Sequence, residues 1–350
     1  MEPSDIMSIC NLRALFPENK LRATSKEYYE WKLLKNPYKE GKIFSKKEQG
    51  IVVGALTYTP KRVSIRGRVF IAAELGDVLT HPEYQRQGIF SKLLNASTEY
   101  IISKGFDIIY GTPNGRAFPT EIKAGYLHCS FVKLNYMAKH RWSLFAHIKS
   151  MTKLILHGKY LQFSLHLSKI LKQMCSRPLF SPAKGTVTEP FDIMRIDEFK
   201  DEIDGLWGSL RYDFFTVRDK SYLNWRYFEN PDKYDVIVAK KGDKCLGYVV
   251  KKLSKDGKIG LICDFITIDD RVDVFCRLIQ EAEKEFKKQG VQRIELMCVE
   301  NTPYYRALLE HAYWDQFRQP IIIFYRSDFI KTLLEKDAKW HFVWSDSDNA

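Results

Sequence analysis

His81-Pro-Glu-Tyr-Gln-Arg-Gln-Gly-Ile-Phe-Ser-Lys-Leu-Leu94 follows an apolar run, Phe70 to Leu79, and opens an amphipathic one, Ser91 to Ile102. This pattern predicts a strand, a tight turn and the first turn of a helix. With Gly88 at its centre, the turn lets the backbone N–H groups from Gln87 to Ser91 converge at the positive end of that helix. Such a concavity binds anions, and a pyrophosphate is its natural ligand. Upstream, the predicted strand carries Glu74, Asp77, Val78 and Leu79. Downstream, a further strand (Asp107 to Tyr110) ends near Asn114, and Gly125-Tyr126 closes the next helix.

In that order and spacing the segment resembles the GCN5-related N-acetyltransferases (GNAT superfamily). Their acyl-CoA loop, Gln/Arg-x-x-Gly-x-Gly/Ala, reads here as Gln85-Arg86-Gln87-Gly88-Ile89-Phe90. Phe90 departs from the small residue of the pattern, as in two-domain acetyltransferases resembling the aminoglycoside-modifying enhanced-survival type. The resemblance implies acetyl-CoA, or another acyl-CoA, as co-substrate, with Gln85 to Ser91 around its pyrophosphate and Asn114 contacting it or an ordered water. It places a backbone N–H of Val78 or Leu79 near the thioester carbonyl. No metal is implied.

The family's reaction needs a neutral amine, so a carboxylate that takes its proton is sought on the strand before the loop. Glu74 is the preferred base and Asp77 the alternative; with a period of two they point to opposite faces, so at most one meets the substrate. The family's proton donor to the leaving thiolate is a tyrosine four residues before the Gly-aromatic pair. Glu121 stands at that position here. A glutamate serves as an acid only if burial raises its pKa, and Tyr126 or bulk water is the alternative.

A second signal is internal duplication. Ser25-Lys26-x-Tyr28-x-x-Trp31-Lys32-x-x-x-Asn36-Pro37 recurs as Asp219-Lys220-x-Tyr222-x-x-Trp225-Arg226-x-x-x-Asn230-Pro231, and each copy precedes hairpin-like strands. Asp77 and Asp264 then stand at matching distances before Asn114 and Asn301, and Gly125-Tyr126 matches Ala312-Tyr313. Two copies of one fold explain this. The second copy has Asp269-Asp270 where the first has its loop, and carboxylates there repel a pyrophosphate, so a single site in the first copy is expected. The Trp31 and Trp225 motifs read as packing each helix on its sheet.

Charge is segregated. The net charge is +12, yet residues 122–188 contain no carboxylate and eleven Lys or Arg, so the rest of the chain is nearly neutral. Apolar residues such as Leu144, Phe145, Ile148 and Met151 keep helical spacing opposite Lys149 and Lys153. The stretch 141–177 therefore reads as a basic amphipathic element suited to an anionic membrane surface. Nucleic acid is not expected, because the aromatics here are spaced for a helix face rather than for base stacking.

A composition of 45% hydrophobic and 28% charged residues is globular rather than disordered. Seven scattered cysteines suggest neither a disulfide framework nor a zinc site. With no signal-peptide pattern and no run of about 18 apolar residues, the expected location is cytoplasmic, or peripheral on the inner face of the membrane. The fold class is α+β: two tandem acetyltransferase-type domains, each a mixed, mostly antiparallel sheet flanked by helices. Residues 1–140 form the active domain, 141–186 a basic helical linker, 187–328 the degenerate copy and 329–350 a C-terminal tail. The expected function is acyl transfer to a primary amine of a small molecule or glycan precursor. The alternatives are a Fem-like aminoacyl-tRNA-dependent transferase acting on a cell-wall precursor and a non-catalytic acyl-CoA-binding protein.

Overall fold

The structure is a computed structural model that describes residues 3–16, 25–140, 190–332, 335 and 337–347. The linker at 141–186, and with it the expected membrane contact, lies outside the described residues.

In the first copy, α1 (Pro3–Ala14) and α2 (Lys26–Leu34) precede a meander of β1 (Lys42–Glu48), β2 (Ile51–Ile65) and β3 (Arg68–Thr80). Then come α3 (Ile89–Ser103), β4 (Ile108–Gly111), α4 (Phe118–Lys123), β5 (Leu127–His128) and β6 (Leu134–His140). The second half supplies β7 (Asp192–Ile196), β8 (Phe214–Thr216), β9 (Asp235–Lys241), β10 (Lys244–Leu253) and β11 (Ile259–Thr267). It continues with β12 (Arg293–Val299), β13 (Trp314–Gln319) and β14 (Ile322–Tyr325).

These strands form two seven-stranded sheets, ordered β1-β2-β3-β4-β14-β5, with β8 on β2, and β13-β6-β12-β11-β10-β9-β7. The order contains a reciprocal exchange. β6 pairs with β12 along its whole length in the second sheet, from Leu134↔Val299 to His140↔Arg293. β14 inserts between β4 and β5 in the first. The chain divides near residue 140, but in space each sheet is completed by a strand from beyond that division.

The repeat is structural. Ser25 and Asp219 cap equivalent helices, accepting from the N–H groups of Tyr28 and Tyr222. The expectation that each tryptophan packs a helix onto its own sheet needs correction. Trp31 and Trp225 stack on each other, ring centroids 4.6 Å apart, and each indole N–H donates to the other's backbone carbonyl at 2.8 and 3.2 Å. The two helices meet around an approximate twofold axis, and the fully buried tryptophans fasten the copies together. Trp225→Ala is expected to cost about 3–5 kcal/mol of stability, read from the urea midpoint. A loss below about 1 kcal/mol would show that the stack contributes little.

The C-terminal stretch is not a loose tail. Trp340, His341, Phe342, Val343 and Trp344 are all buried, and the turn Trp344–Asp346 packs against β11 and β12. Asp346 pairs with Arg218 at 2.9 Å, which also holds Asp264 at 3.1 Å. From the first copy, Lys61 donates to the carbonyl of Ser345 and Tyr110 to that of Asp346. No helix among the described residues is long and apolar enough to cross a membrane.

Candidate active site

β3 pairs in parallel with β4 only from Ala72↔Ile108 to Glu74↔Tyr110, although β3 continues to Thr80. Beyond Tyr110 the strands part and open a wedge. Against β2, one extra residue of β3 is accommodated between the pairs Ala55↔Leu79 and Thr57↔Gly76, a bulge that bends the strand. Asp77 lies in it with φ +46, a left-handed conformation that an L-residue adopts at a cost of about 1–2 kcal/mol. Its carboxylate accepts from Lys32 Nζ at 2.8 Å and Tyr29 Oη at 3.1 Å, both on α2.

The loop closes one end of the wedge. Arg86 and Gly88 have φ +64 and +72, and Gly88 caps α3 without a side-chain hydrogen bond. The first intrahelical bond is Lys92 N–H to the carbonyl of Gly88. The N–H groups of Ile89, Phe90 and Ser91 thus have no partner within the helix and face outward at its positive end. A Cβ on Gly88 would meet nothing within 4 Å, so its left-handed backbone rather than crowding calls for glycine there.

Loop and wedge open into one cleft of about 1150 Å³. Its wall includes Leu75, Asp77, Val78, Leu79, Gln85, Arg86, Gly88, Ile89, Phe90, Ser91, Asn114 and Glu121. Of the predicted loop, Gln87 is exposed and outside the wall. Phe90 is half-buried against the apolar cluster under α3. Asn114 accepts from the N–H groups of Arg116 and Ala117, holding the turn before α4.

Glu121 is 3% exposed, and its Oε2 is buried with no hydrogen-bond partner among the described residues. Burial pushes its carboxyl up to about 7. The condition set for a glutamate at this position is therefore met: near neutrality it carries a proton about half the time.

Two candidates are not in the wall, and both placements correct the sequence reading. Glu74 points to the domain interface, pairing with buried Lys61 at 2.8 Å beside Trp225 and Arg226. Tyr126 is buried behind α3 with its hydroxyl 2.6 Å from Thr98 Oγ1, and burial holds that hydroxyl well above the usual tyrosine range.

The far wall was not read from the sequence. It is made by Tyr136 of the exchanged β6, Met297 of β12, Phe317 and Gln319 of β13, and Trp344 of the buried C-terminal stretch, with Arg13 and Phe16 joining from α1 and its end. Gln319 ties the sheets together, donating to the carbonyls of Thr112 and Pro113 at 3.0 and 2.8 Å. None of these residues lies near the loop in sequence, so no local pattern marks them.

The second copy keeps the frame and fills it. Asp269 and Asp270, before the equivalent helix, are also left-handed, with φ +47 and +54, but the residue that caps that helix, Arg271, is not. Asp270 accepts from Tyr212 and Tyr304 at 2.9 and 3.0 Å. β11 and β12 also part, after Ile262↔Leu296, and the turn Trp344–Asp346 packs against both. His341, pushed down to about 3 by burial and then by Arg218, lies neutral among Phe265, Tyr304 and Tyr212.

Residues 11–126 match the family model for the acetyltransferase (GNAT) domain. The first domain belongs to the GNAT family. Solved structures share the fold of the whole chain. A tandem GNAT protein from the clavulanic acid biosynthesis pathway superposes with a TM-score of 0.60 at 13% identity, covering 93% of this chain and 95% of that one. A probable N-acyltransferase from Enterococcus faecalis gives 0.58 at 13%, covering 93% and 71%. N-myristoyltransferase of Saccharomyces cerevisiae, solved with myristoyl-CoA, gives 0.60 at 12%, covering 93% and 78%. At such identities the likeness is one of fold. No curated protein matches the chain in sequence. The family match makes the first domain an acyltransferase domain. Among the described residues of the chain no group of three or more His, Cys, Asp or Glu is placed to hold a metal.

Proposed function

We propose that this GNAT protein transfers an acetyl or other acyl group from acyl-CoA to the primary amine of a small molecule or glycan precursor. The observation that carries the reading is the uncapped head of α3 opening onto the same cleft as the buried Glu121, whose Oε2 has no hydrogen-bond partner among the described residues. The loop fits a pyrophosphate: three N–H groups converge on open space, with Arg86 beside them. Acyl-CoA, when bound, supplies the activated thioester. Val78 and Leu79 line the wedge where a backbone N–H can donate to a carbonyl oxygen that gains charge.

Glu121 handles the proton. In acyl transfer to an amine, the nitrogen loses a proton and the thiolate gains one. A carboxylic acid with a pKa near 7 donates readily to a thiolate, whose own pKa is about 8.5 or higher. Glu121 then recovers its proton from the acceptor or from water. Asp77, tied to Lys32 and Tyr29, holds the bulge in place instead.

Glu121→Gln is expected to lower kcat by about 10²–10⁴-fold with acyl-CoA affinity little changed. The wild-type rate should fall as pH rises through about 7, and the variant should lose that limb. Stability supplies a check of sign. A carboxyl whose folded pKa is raised destabilises the fold increasingly as pH rises from its unfolded value toward 7, so the variant should gain stability over wild type above pH 7 and not below pH 4. Full activity with an unchanged pH profile removes Glu121 from the reaction.

A further inference from the structure

Three cations line the cleft: Arg86 in the loop, Arg116 at the turn before α4, and Arg13 in the last turn of α1. Arg86 belongs to the loop proposed for the cofactor phosphates, and Arg116 to the turn that Asn114 holds. Arg13 stands apart. Ile6, Ile9 and Leu12 of α1 share a core with α2 and the Trp31–Trp225 stack, whereas α3 packs in a separate core on the other face of the first sheet. Arg13 therefore reaches the cleft from the face opposite α3, the face on which α2 holds Asp77. Its Nε is buried with no hydrogen-bond partner among the described residues. Arg13 as a whole is only partly buried and lines the cleft, so its charge faces whatever the cleft holds, and the planar fork of a guanidinium suits a carboxylate or phosphate.

The wall contributed by the second sheet adds a different chemistry. Tyr136 and Phe317 are stacked with centroids 4.6 Å apart, and Trp344 lies 5.2 Å from Tyr136. Tyr136 spends its hydroxyl on Glu295, and Phe317 is 52% exposed. An exposed phenylalanine backed by two further rings in a cleft wall presents a flat apolar surface.

Resting on the acyl-transfer reading above, we propose that the acceptor is an anionic amine. It carries a carboxylate or phosphate for Arg13 and a flat apolar or sugar-ring face for the Tyr136–Phe317–Trp344 wall, besides the primary amine that is acylated. The test uses two pairs of amines that differ in the oxyanion: phenylalanine against phenethylamine, and glucosamine 6-phosphate against glucosamine. kcat/KM is followed by release of free thiol in wild type, Arg13→Gln and Arg13→Lys.

The wild type should favour the anionic member of at least one pair by about tenfold or more. Arg13→Gln should bring that preference down by about 10–100-fold, and Arg13→Lys should restore part of it. The pair that responds tells a carboxylate from a phosphate. Equal rates within both pairs, or a preference that survives Arg13→Gln, overturns the proposal. If no amine reacts, calorimetry on protein loaded with acyl-CoA decides: binding of an anionic member that Arg13→Gln abolishes supports it, and no binding of any member overturns it. Absence of acyl-CoA binding would instead overturn the donor reading.

Discussion

Gly88→Glu abolishes acyl-CoA binding, with affinity down by about 10²–10³-fold or more, measured by calorimetry against a wild type that binds one molecule per chain. Gly88 sits at φ +72, where a side chain brings about 1–2 kcal/mol of strain. The new carboxylate would stand at the head of α3, among N–H groups that otherwise face the pyrophosphate, and each charge-assisted bond lost there is worth about 1.5–3 kcal/mol. The second copy likewise has carboxylates, Asp269 and Asp270, in the turn before the equivalent helix, where the first copy has the loop. A stoichiometry near two, or an unaltered affinity in the variant, would mean that the loop is not the anion site.

Loss of the C-terminal anchor is expected to do the most damage to the fold. Asp346→Asn leaves the buried guanidinium of Arg218 with Asp264 alone and should cost about 3–5 kcal/mol, read from the urea midpoint at pH 7. Arg218 and Lys61 hold the Asp346 carboxyl below the usual carboxylate range despite its burial. Its contribution is therefore present above the unfolded pKa of about 4 and fades as pH falls through the depressed folded value, so wild type and variant should converge in acid. Deleting residues 338–350 removes Trp340 and Trp344 as well, each worth about 3–5 kcal/mol. Together these losses rival the entire stability of a typical domain, about 5–15 kcal/mol. The truncated chain should fail to fold, and a cooperative native transition in it would refute the anchoring role.

The anion loop was legible because its information is local: a glycine between a strand and an amphipathic helix fixes a left-handed turn with free N–H groups. The duplication was legible because caps, buried aspartates and Gly- or Ala-Tyr helix ends recur in order. Glu121 was legible through its register with Gly125-Tyr126, and only burial, a tertiary property, decides its protonation. Glu74 was misjudged because alternation along a strand says which residues share a face and not what covers that face. Here the covering is the second domain, and Lys61 on the neighbouring strand meets the carboxylate. The partners of β6 and β14 were out of reach for the same reason: an apolar run such as Ile321 to Phe324 declares a buried strand without naming its neighbours. With the exchange unread, the wall of Tyr136 and Phe317 was invisible too.

The exchanged strands also set an order of events during synthesis. β4 is made early, but its neighbour β14 emerges about 200 residues later, a wait of roughly 10–40 s at 5–20 residues per second. Until then β4 has an open edge, β5 has no partner in its sheet, and β6 has neither β12 nor β13 to pair with. The nascent first half must therefore carry unpaired strand edges, the feature that invites association between chains. Binding of the donor, which depends on the wedge between β3 and β4, should accordingly arise only after nearly the whole polypeptide has left the ribosome.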